Sequence, residues 1–255
     1  MPLKVELHCH TNGDPMDTYI RHSAEQLLRL AGARGYGALA ITNHTHAVYT
    51  RELADIAQDN GVILIPGMET NVVDRNGFLP AQRKHVLLYG QSEPAAVGAL
   101  NDYSERRNGD LSFDDIRRLK RDGLVMAVAA PHSNHVVNSL NGSFAEHHDL
   151  FDLVELSWFH TAVNFPESLA DWNPLNRNQA LEAANREFGL PYFASSDAHS
   201  LGDFGRAFSW IEADPNLDSI MGALRSRDQT RIKTELTPMT VREYLSAIPR
   251  LFFPR

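Results

Sequence analysis

Short apolar, strand-like runs alternate along this chain with amphipathic stretches of helical period. The runs predict strands over Lys4–Cys9, Ala38–Thr42, Val62–Pro66, His85–Tyr89, Val125–Ala130, Leu153–Ser157 and Tyr192–Ser195. Ala24, Leu27, Leu28 and Ala31 recur at i, i+3, i+4 and i+7, and Ser23 with Gln26 has the spacing of a capping box. A helix is therefore expected over Ser23–Arg34, ended by Gly35. Further helices are expected over Thr50–Asp59, Pro94–Arg107, Phe113–Arg121, Asn178–Phe188 and Leu217–Arg225, with Leu181, Ala184 and Phe188 as the buried stripe of the Asn178–Phe188 helix.

Strands that alternate with helices imply an α/β protein with a parallel sheet, and seven of them suggest closure into a TIM-like (β/α)7 barrel. An open doubly wound sheet is the competitor. The polar residues decide for the barrel: His8, His10, His44, Glu69, His132, Asp197 and His199 all fall at or just beyond the C-terminal ends of different strands. A barrel gathers those ends at one mouth, whereas an open sheet strings them along an edge. His85 is the exception, at a strand start. A strand of opposite sense, or a hairpin over 71–82 turning at Arg75-Asn76-Gly77, would bring it to the mouth.

Composition narrows the setting. With 255 residues, 43% of them hydrophobic, the chain can bury one compact core. We expect a single catalytic domain over 1–255, its core at 3–210 and a C-terminal extension at 211–255. The formal charge of -8 and the pI near 5.8 disfavour a long duplex nucleic acid as partner. Cys9 is the single cysteine, which excludes an internal disulfide and fits a reducing cytoplasm. No apolar run approaches the roughly 20 residues of a membrane helix, and the N-terminus lacks a signal-peptide pattern. A cytoplasmic protein with no membrane partner is expected, and oligomeric state leaves no signal.

The chemistry lies in the spacing. Side chains alternate along a strand, so His8 and His10 project to one side and can grip one ion, while Cys9 points away. Taken singly, each histidine reads as a structural residue, Glu69 as a helix cap or solvated carboxylate, and Asp197 as a turn cap. Jointly, paired histidines, an isolated Glu and an Asp-x-His pair at the ends of one sheet indicate a metal centre. Nitrogen and oxygen donors without thiolate suit Mn, Fe or Zn. His147 and His148 read as a solvated helix face, and His22, His46, His135 and His160 as structural or supporting. Trp158 and Phe159 form either a substrate wall or core. Arg206 is a candidate phosphate clamp, its fork matching phosphate oxygens, or else a surface ion-pair partner; Arg83 and Lys84 are weaker candidates.

His8-x-His10, Ala40-Ile41-Thr42-Asn43-His44, Gly67-Met68-Glu69, His85, Pro131-His132 and Asp197-Ala198-His199 occur in an order that resembles the PHP (polymerase and histidinol phosphatase) superfamily. The resemblance covers residue 3 to about residue 210. It implies a distorted seven-stranded barrel with two or three divalent ions. His8, His10, Glu69 and Asp197 would hold one; Glu69 as a bridge, His85 and His132 a second; His44, His199 and an acid after the first motif a third. Two departures stand out. Asn43 replaces the usual Asp, and Gly13-Asp14-Pro15-Met16-Asp17 replaces a Ser-Asp-Gly stretch, with Asp14 aligning better than Asp17.

A Glu bridging two ions about 3.5–4 Å apart also positions a water and lowers its pKa, so that hydroxide is available near neutral pH. The expected activity is a phosphoesterase acting on small phosphorylated metabolites or nucleotides through this metal-bridged hydroxide. Glu69 would be catalytic as the bridge, His199 would steer or protonate the leaving oxygen, and Arg206 would hold the substrate. A free-standing enzyme is expected in preference to a polymerase proofreading module. The alternatives are a phosphodiesterase or exonuclease on short oligonucleotides, and an amidohydrolase-type enzyme cleaving amide or ester bonds. Many of the latter use a middle-strand lysine, which Val125–Ala130 lacks. A non-catalytic domain with a degenerate centre is the remaining class, disfavoured by the near-complete ligand set.

Overall fold

The structure, a computed structural model, describes residues 1–74, 82–132, 140, 142–157 and 177–237. In chain order its strands are β1 (Leu3–Glu6), β2 (Ala38–Ile41), β3 (Ile63–Asp74), β4 (Gln82–Gly90), β5 (Asp110–Leu111), β6 (Val125–Ala130), β7 (Leu153–Ser157), β8 (Tyr192–Ser195), β9 (Ala207–Ile211) and β10 (Ile232–Leu236). The helices are α1 (Ala24–Ala33), α2 (Arg51–Asp59), α3 (Pro94–Arg106), α4 (Phe113–Arg121), α5 (Gly142–Glu146), α6 (Arg177–Asn185) and α7 (Leu217–Arg225). Ser23 and Gln26 satisfy each other's backbone donors at the start of α1, and Ser112 with Asp115 does the same for α4.

All seven expected strands are present, and the sheet runs β10-β9-β1-β2-β3-β4-β6-β7-β8, with β5 added beside β3. β1, β2 and β3 are parallel, as are β6, β7 and β8. Between these halves β4 runs antiparallel to both neighbours. Three features correct the sequence reading. β3 extends to Asp74, so Glu69 lies inside a strand and not after one; the longer strand is stabilised by a β3–β4 hairpin whose ladder reaches Asp74↔Gln82. β1 ends at Glu6, and Cys9 rejoins the sheet through a bridge to Ala198 and by accepting from Thr42 N–H at 2.8 Å. β9 and β10 form an unforeseen antiparallel pair against β1.

The sheet curls into a nearly closed, distorted barrel. At the C-terminal ends of the strands β1 meets the segment after β8: His10 N–H donates to Ala198 O at 3.0 Å, and the Glu6 carboxylate accepts from Ser196 Oγ at 2.7 Å. Farther down, β8 and β9 are joined by the Ser209 hydroxyl, which accepts from Ala194 N–H at 2.7 Å and donates to Ala194 O at 3.1 Å.

Alternation then sorts the strand residues into layers. Leu39 and Ile41 face α1 and α2, and Val86, Leu88, Val125 and Val128 face the helices of the opposite side. Ala38, Ala40, Ile65, Leu87, Tyr89, Ala127, Leu153 and Phe193 point inward. Small alanines and large rings share this interior, and Ile220, Met221 and Leu224 of α7 pack against it at the lower end.

Candidate metal centre

Each inward row changes character on its way to the mouth. On β3 the row runs Ile65, Gly67, Glu69, Asn71; on β7, Leu153, Glu155, Ser157; on β8, Phe193, Ser195, then Asp197. β4 reads Tyr89, Leu87, His85 in the same upward direction because it is reversed, and this brings His85 into reach. At Gly67 an added Cβ would lie 2.8 Å from Thr42 Cγ2, so glycine permits the close β2–β3 approach that carries His44 beside Glu69. His132 and Asp197 occupy positive-φ positions, at 25° and 47°, in the sharp turns that aim them over the mouth.

Glu69 is the hub. Its Oε2 lies 3.2 Å from His8 Nε2, 3.3 Å from His10 Nε2 and 3.2 Å from His44 Nε2, while its Oε1 lies 2.6 Å from His85 Nδ1 and 3.0 Å from His132 Nε2. Asp197 Oδ1 completes the first set at 3.2 Å from both His8 Nε2 and His10 Nε2. Beside it, His44 Nδ1 lies 3.0 Å from Asp14 Oδ2 and 3.6 Å from Asp17 Oδ2, and His199 Nε2 lies 2.8 Å from Asp17 Oδ2. Three donor groups are compact enough to hold a cation: His8, His10, Glu69 and Asp197; His10, Asp14, Asp17 and His44; and His44, Glu69 and His85.

All nine metal-ligand candidates are thus brought together, with Asp17 added. Asp14 serves several partners at once, its Oδ2 meeting His10 Nδ1 at 2.8 Å and the His44 backbone N–H at 2.8 Å. Asp17 instead faces the two imidazoles named for the third position.

The electrostatics fit cations. Burial alone would lower the pKa values of His8, His10 and His132 and raise those of Glu69 and Asp197. Mutual attraction outweighs burial, holding these imidazoles above and these carboxyls below their ordinary values. For Asp14, hydrogen bonds from His10 and His44 likewise overcome burial and lower its pKa. His85 goes the other way, burial lowering it. Both ring nitrogens of His85 and Asp197 Oδ1 lack a hydrogen-bond partner among the described residues, although each residue approaches a donor or acceptor within 3.2 Å. Close approach without hydrogen-bond alignment is what groups converging on a shared ion show, and the nitrogen and oxygen donors fit divalent metal.

Sequence reading missed the two buried carboxylates that support the ligands, and the supporting roles read for His22 and Asn43 take definite form. Glu155 is fully buried on β7; it accepts from His8 Nδ1 at 2.8 Å, from the His132 backbone N–H at 2.8 Å, and from Ser195 Oγ. A lone Glu inside Leu153-Val154-Glu155-Leu156 was its only signal. Glu6, pushed up to about 8 by burial, ties His8 N–H to Ser196. Asn43 Oδ1 accepts from Thr11 N–H at 2.8 Å, fixing the turn after His10. His22 Nε2 donates to His10 O at 2.7 Å.

Arg206 is half-buried at the start of β9, which the antiparallel register with β1 places at the mouth end. Arg83 pairs with Asp110 at 3.0 Å on the surface. Lys84 alternates with His85 and reaches Ser143 on the outer side. His148 bonds Ala145 O, His147 packs on Phe113, and His46 lies by Asn101. His135, Trp158, Phe159 and His160 lie outside the described residues, as does the turn at Arg75-Asn76-Gly77.

The fold and this site define a barrel-shaped α/β protein with a candidate divalent-metal centre at its mouth. Comparison with known proteins sharpens the class. Residues 174–228 match the family model described as PHP-associated. Over 71 residues the chain is 38% identical to the PolC-type DNA polymerase III of Lactococcus lactis subsp. lactis, a match covering 28% of this chain and 4% of that much longer relative. The crystal structure of PsfC from Pseudomonas syringae has TM-score 0.61 at 14% identity, covering 99% of this chain and 98% of that one. An amidohydrolase from Chromobacterium violaceum gives 0.51 at 15% identity, over 95% and 96%. Those two structures establish a shared fold. The family-model match over 174–228 agrees with the resemblance that the ordered motifs carry. Among the described residues no helix is long and apolar enough to cross a membrane.

Proposed function

We propose that this protein is a metal-dependent phosphoesterase that hydrolyses small phosphorylated metabolites or nucleotides in the cytoplasm. The observation that carries the reading is the division of labour on Glu69: one oxygen meets His8, His10 and His44, the other His85 and His132. A carboxylate so placed is suited to bridge two cation positions, with a third formed by His44, His199 and Asp17 or Asp14. Divalent ions such as Mn, Fe or Zn, when bound, supply a nucleophile from water at neutral pH and offset charge on a phosphoryl group.

The chain's own groups do the rest. Asp14 and Glu155 hold the Nδ1 atoms of His10 and His8, which leaves each Nε2 facing the centre. His199 lies farther out, a fifth of its side chain exposed and paired with Asp17, where it can pass a proton to a leaving oxygen. Arg206 at the rim is the group offered to a non-bridging phosphate oxygen. The net charge of -8 favours monoesters and short nucleotides over long DNA.

The amide- or ester-hydrolase alternative is disfavoured by Lys84, the buried lysine nearest the cluster in sequence, which reaches away from the mouth to Ser143. A panel decides between these readings. Manganese-loaded protein is incubated with a phosphomonoester, a phosphodiester, mononucleotides, a short oligonucleotide and an amide substrate. Phosphate release from a monoester or nucleotide is expected. Turnover of the amide alone, or of nothing, overturns the proposal.

A further inference from the structure

Glu155 touches two parts of the centre that no other side chain among the described residues joins in the same way. Its Oε1 accepts from the ring of His8, whose Nε2 faces the first donor group, and its Oε2 accepts from the backbone N–H of His132, whose Nε2 faces the other oxygen of Glu69. The first bond fixes the His8 ring and its tautomer, because a carboxylate can only accept, which keeps the proton on Nδ1 and leaves the Nε2 lone pair facing inward. The second holds a turn in which His132 has a φ of 25°, a conformation that L residues rarely adopt. Ser195 Oγ, from the neighbouring strand, fastens the same carboxylate. Glu155 is wholly buried, so water offers no substitute for any of these partners.

We infer that Glu155 is a positioning residue that couples the two cation positions on either side of Glu69, so that a disturbance at either is felt at both. The inference rests on the two-ion reading proposed above. Replacing the carboxylate by an amide is a sharp test because the shapes match and the proton inventory does not. In Glu155→Gln the amide nitrogen must face either His8 Nδ1 or the His132 N–H. Against His132 it sets donor against donor. Against His8 it forces the proton onto Nε2, which removes that lone pair from the centre. Either arrangement harms one position directly, and the shared support carries the harm to the other.

Metal-free full-length protein is titrated with Mn2+, and bound ions per chain are measured against free metal for wild type, Glu155→Gln, Ser195→Ala and His85→Ala. Wild type is expected to bind at least two ions. In Glu155→Gln both midpoints should rise together, by ~10–100-fold, with an unchanged far-UV spectrum and kcat recovered at saturating metal. His85→Ala should weaken one position only. Ser195→Ala, which removes one donor to Glu155, should shift both midpoints in the same direction by less, and it carries the test if the Gln variant does not fold. A shift confined to one position, or none, in both Glu155→Gln and Ser195→Ala overturns the coupling while leaving the phosphoesterase reading intact. Fewer than two ions on wild type overturns both.

Discussion

The floor and the mouth of the barrel are built from the same strands and are held together by opposite means. At the floor the inward rows present Ile65, Leu87, Tyr89, Leu153 and Phe193 against Ile220, Met221 and Leu224 of α7. Each such side chain contributes about 1.5–3 kcal/mol by leaving water, and the one polar atom among them, Tyr89 Oη, donates to Leu7 O at 3.0 Å. At the mouth the same rows end in the buried Glu69, His85 and Glu155 and the partly exposed Asp197, ionisable groups that stabilise nothing unless their charges are matched. The backbone differs too: His132 and Asp197, both at the mouth, adopt positive φ, whereas Ile65, Leu153 and Phe193 at the floor lie in regular parallel ladders. Stability resides below and chemistry above, and the two should fail independently.

The most drastic way to test that separation is Glu69→Gln. Five imidazole contacts converge on this carboxylate, so turnover and bound metal should both fall by more than the ~100-fold that loss of a supporting contact costs. Thermal unfolding of the metal-free variant should stay cooperative. Elemental analysis beside a phosphatase assay reads the outcome, and full metal content in the variant would erase the distinction.

Phe193→Ala is the converse at the floor. It should cost ~3–5 kcal/mol in denaturant unfolding, yet the fraction that remains folded should bind metal as wild type does.

pH separates the ends more gently. In metal-free protein the raised pKa values of His8, His10, His132 and His199 stabilise the fold fully below the ordinary imidazole value of about 6.5, and that contribution is lost as pH rises through the folded values. The lowered Asp14, Glu69 and Asp197 contribute above about 4 and lose it on acidification. The metal-free Tm should therefore peak between these limits and decline towards pH 8. Metal uptake competes with the same protons and should strengthen over that range. A metal-free Tm that climbs from pH 6 to 8 contradicts the assignment.

Tyr89→Phe is the mildest change. About 1 kcal/mol should be lost with the hydroxyl's bond to Leu7, and kcat should not move.

The floor was more legible in the sequence than the supports of the mouth. Period-two and period-3.6 patterns located seven strands and α1, cap included, because burial of alternate or helical-face residues leaves that imprint on any chain. The spacing of His8 with His10 and of Asp197 with His199 revealed the cluster for the same reason. Strand direction leaves no such imprint: the pattern of β4 reads identically in either sense, and the length of β3 emerges only from its pairing with β4. Glu155 was silent, since one Glu in an apolar run resembles an exposed position until a partner such as His8 is known. Asp14 and Asp17 share one loop, and only the positions of His10, His44 and His199 in space separate them. β9 and β10 were overlooked because Phe208, Trp210, Lys233 and Glu235, half-exposed or exposed, dilute the apolar signal.

Because β4 is reversed, Glu69 and His85 belong to one hairpin and can meet while the chain is still being made, whereas His8 must wait for Glu155 and finally Asp197. Contacts between such distant positions form late in folding. On the proposed reading, a nascent polypeptide would therefore offer only part of the donor set, and the full set would assemble only once the last parallel strand had docked.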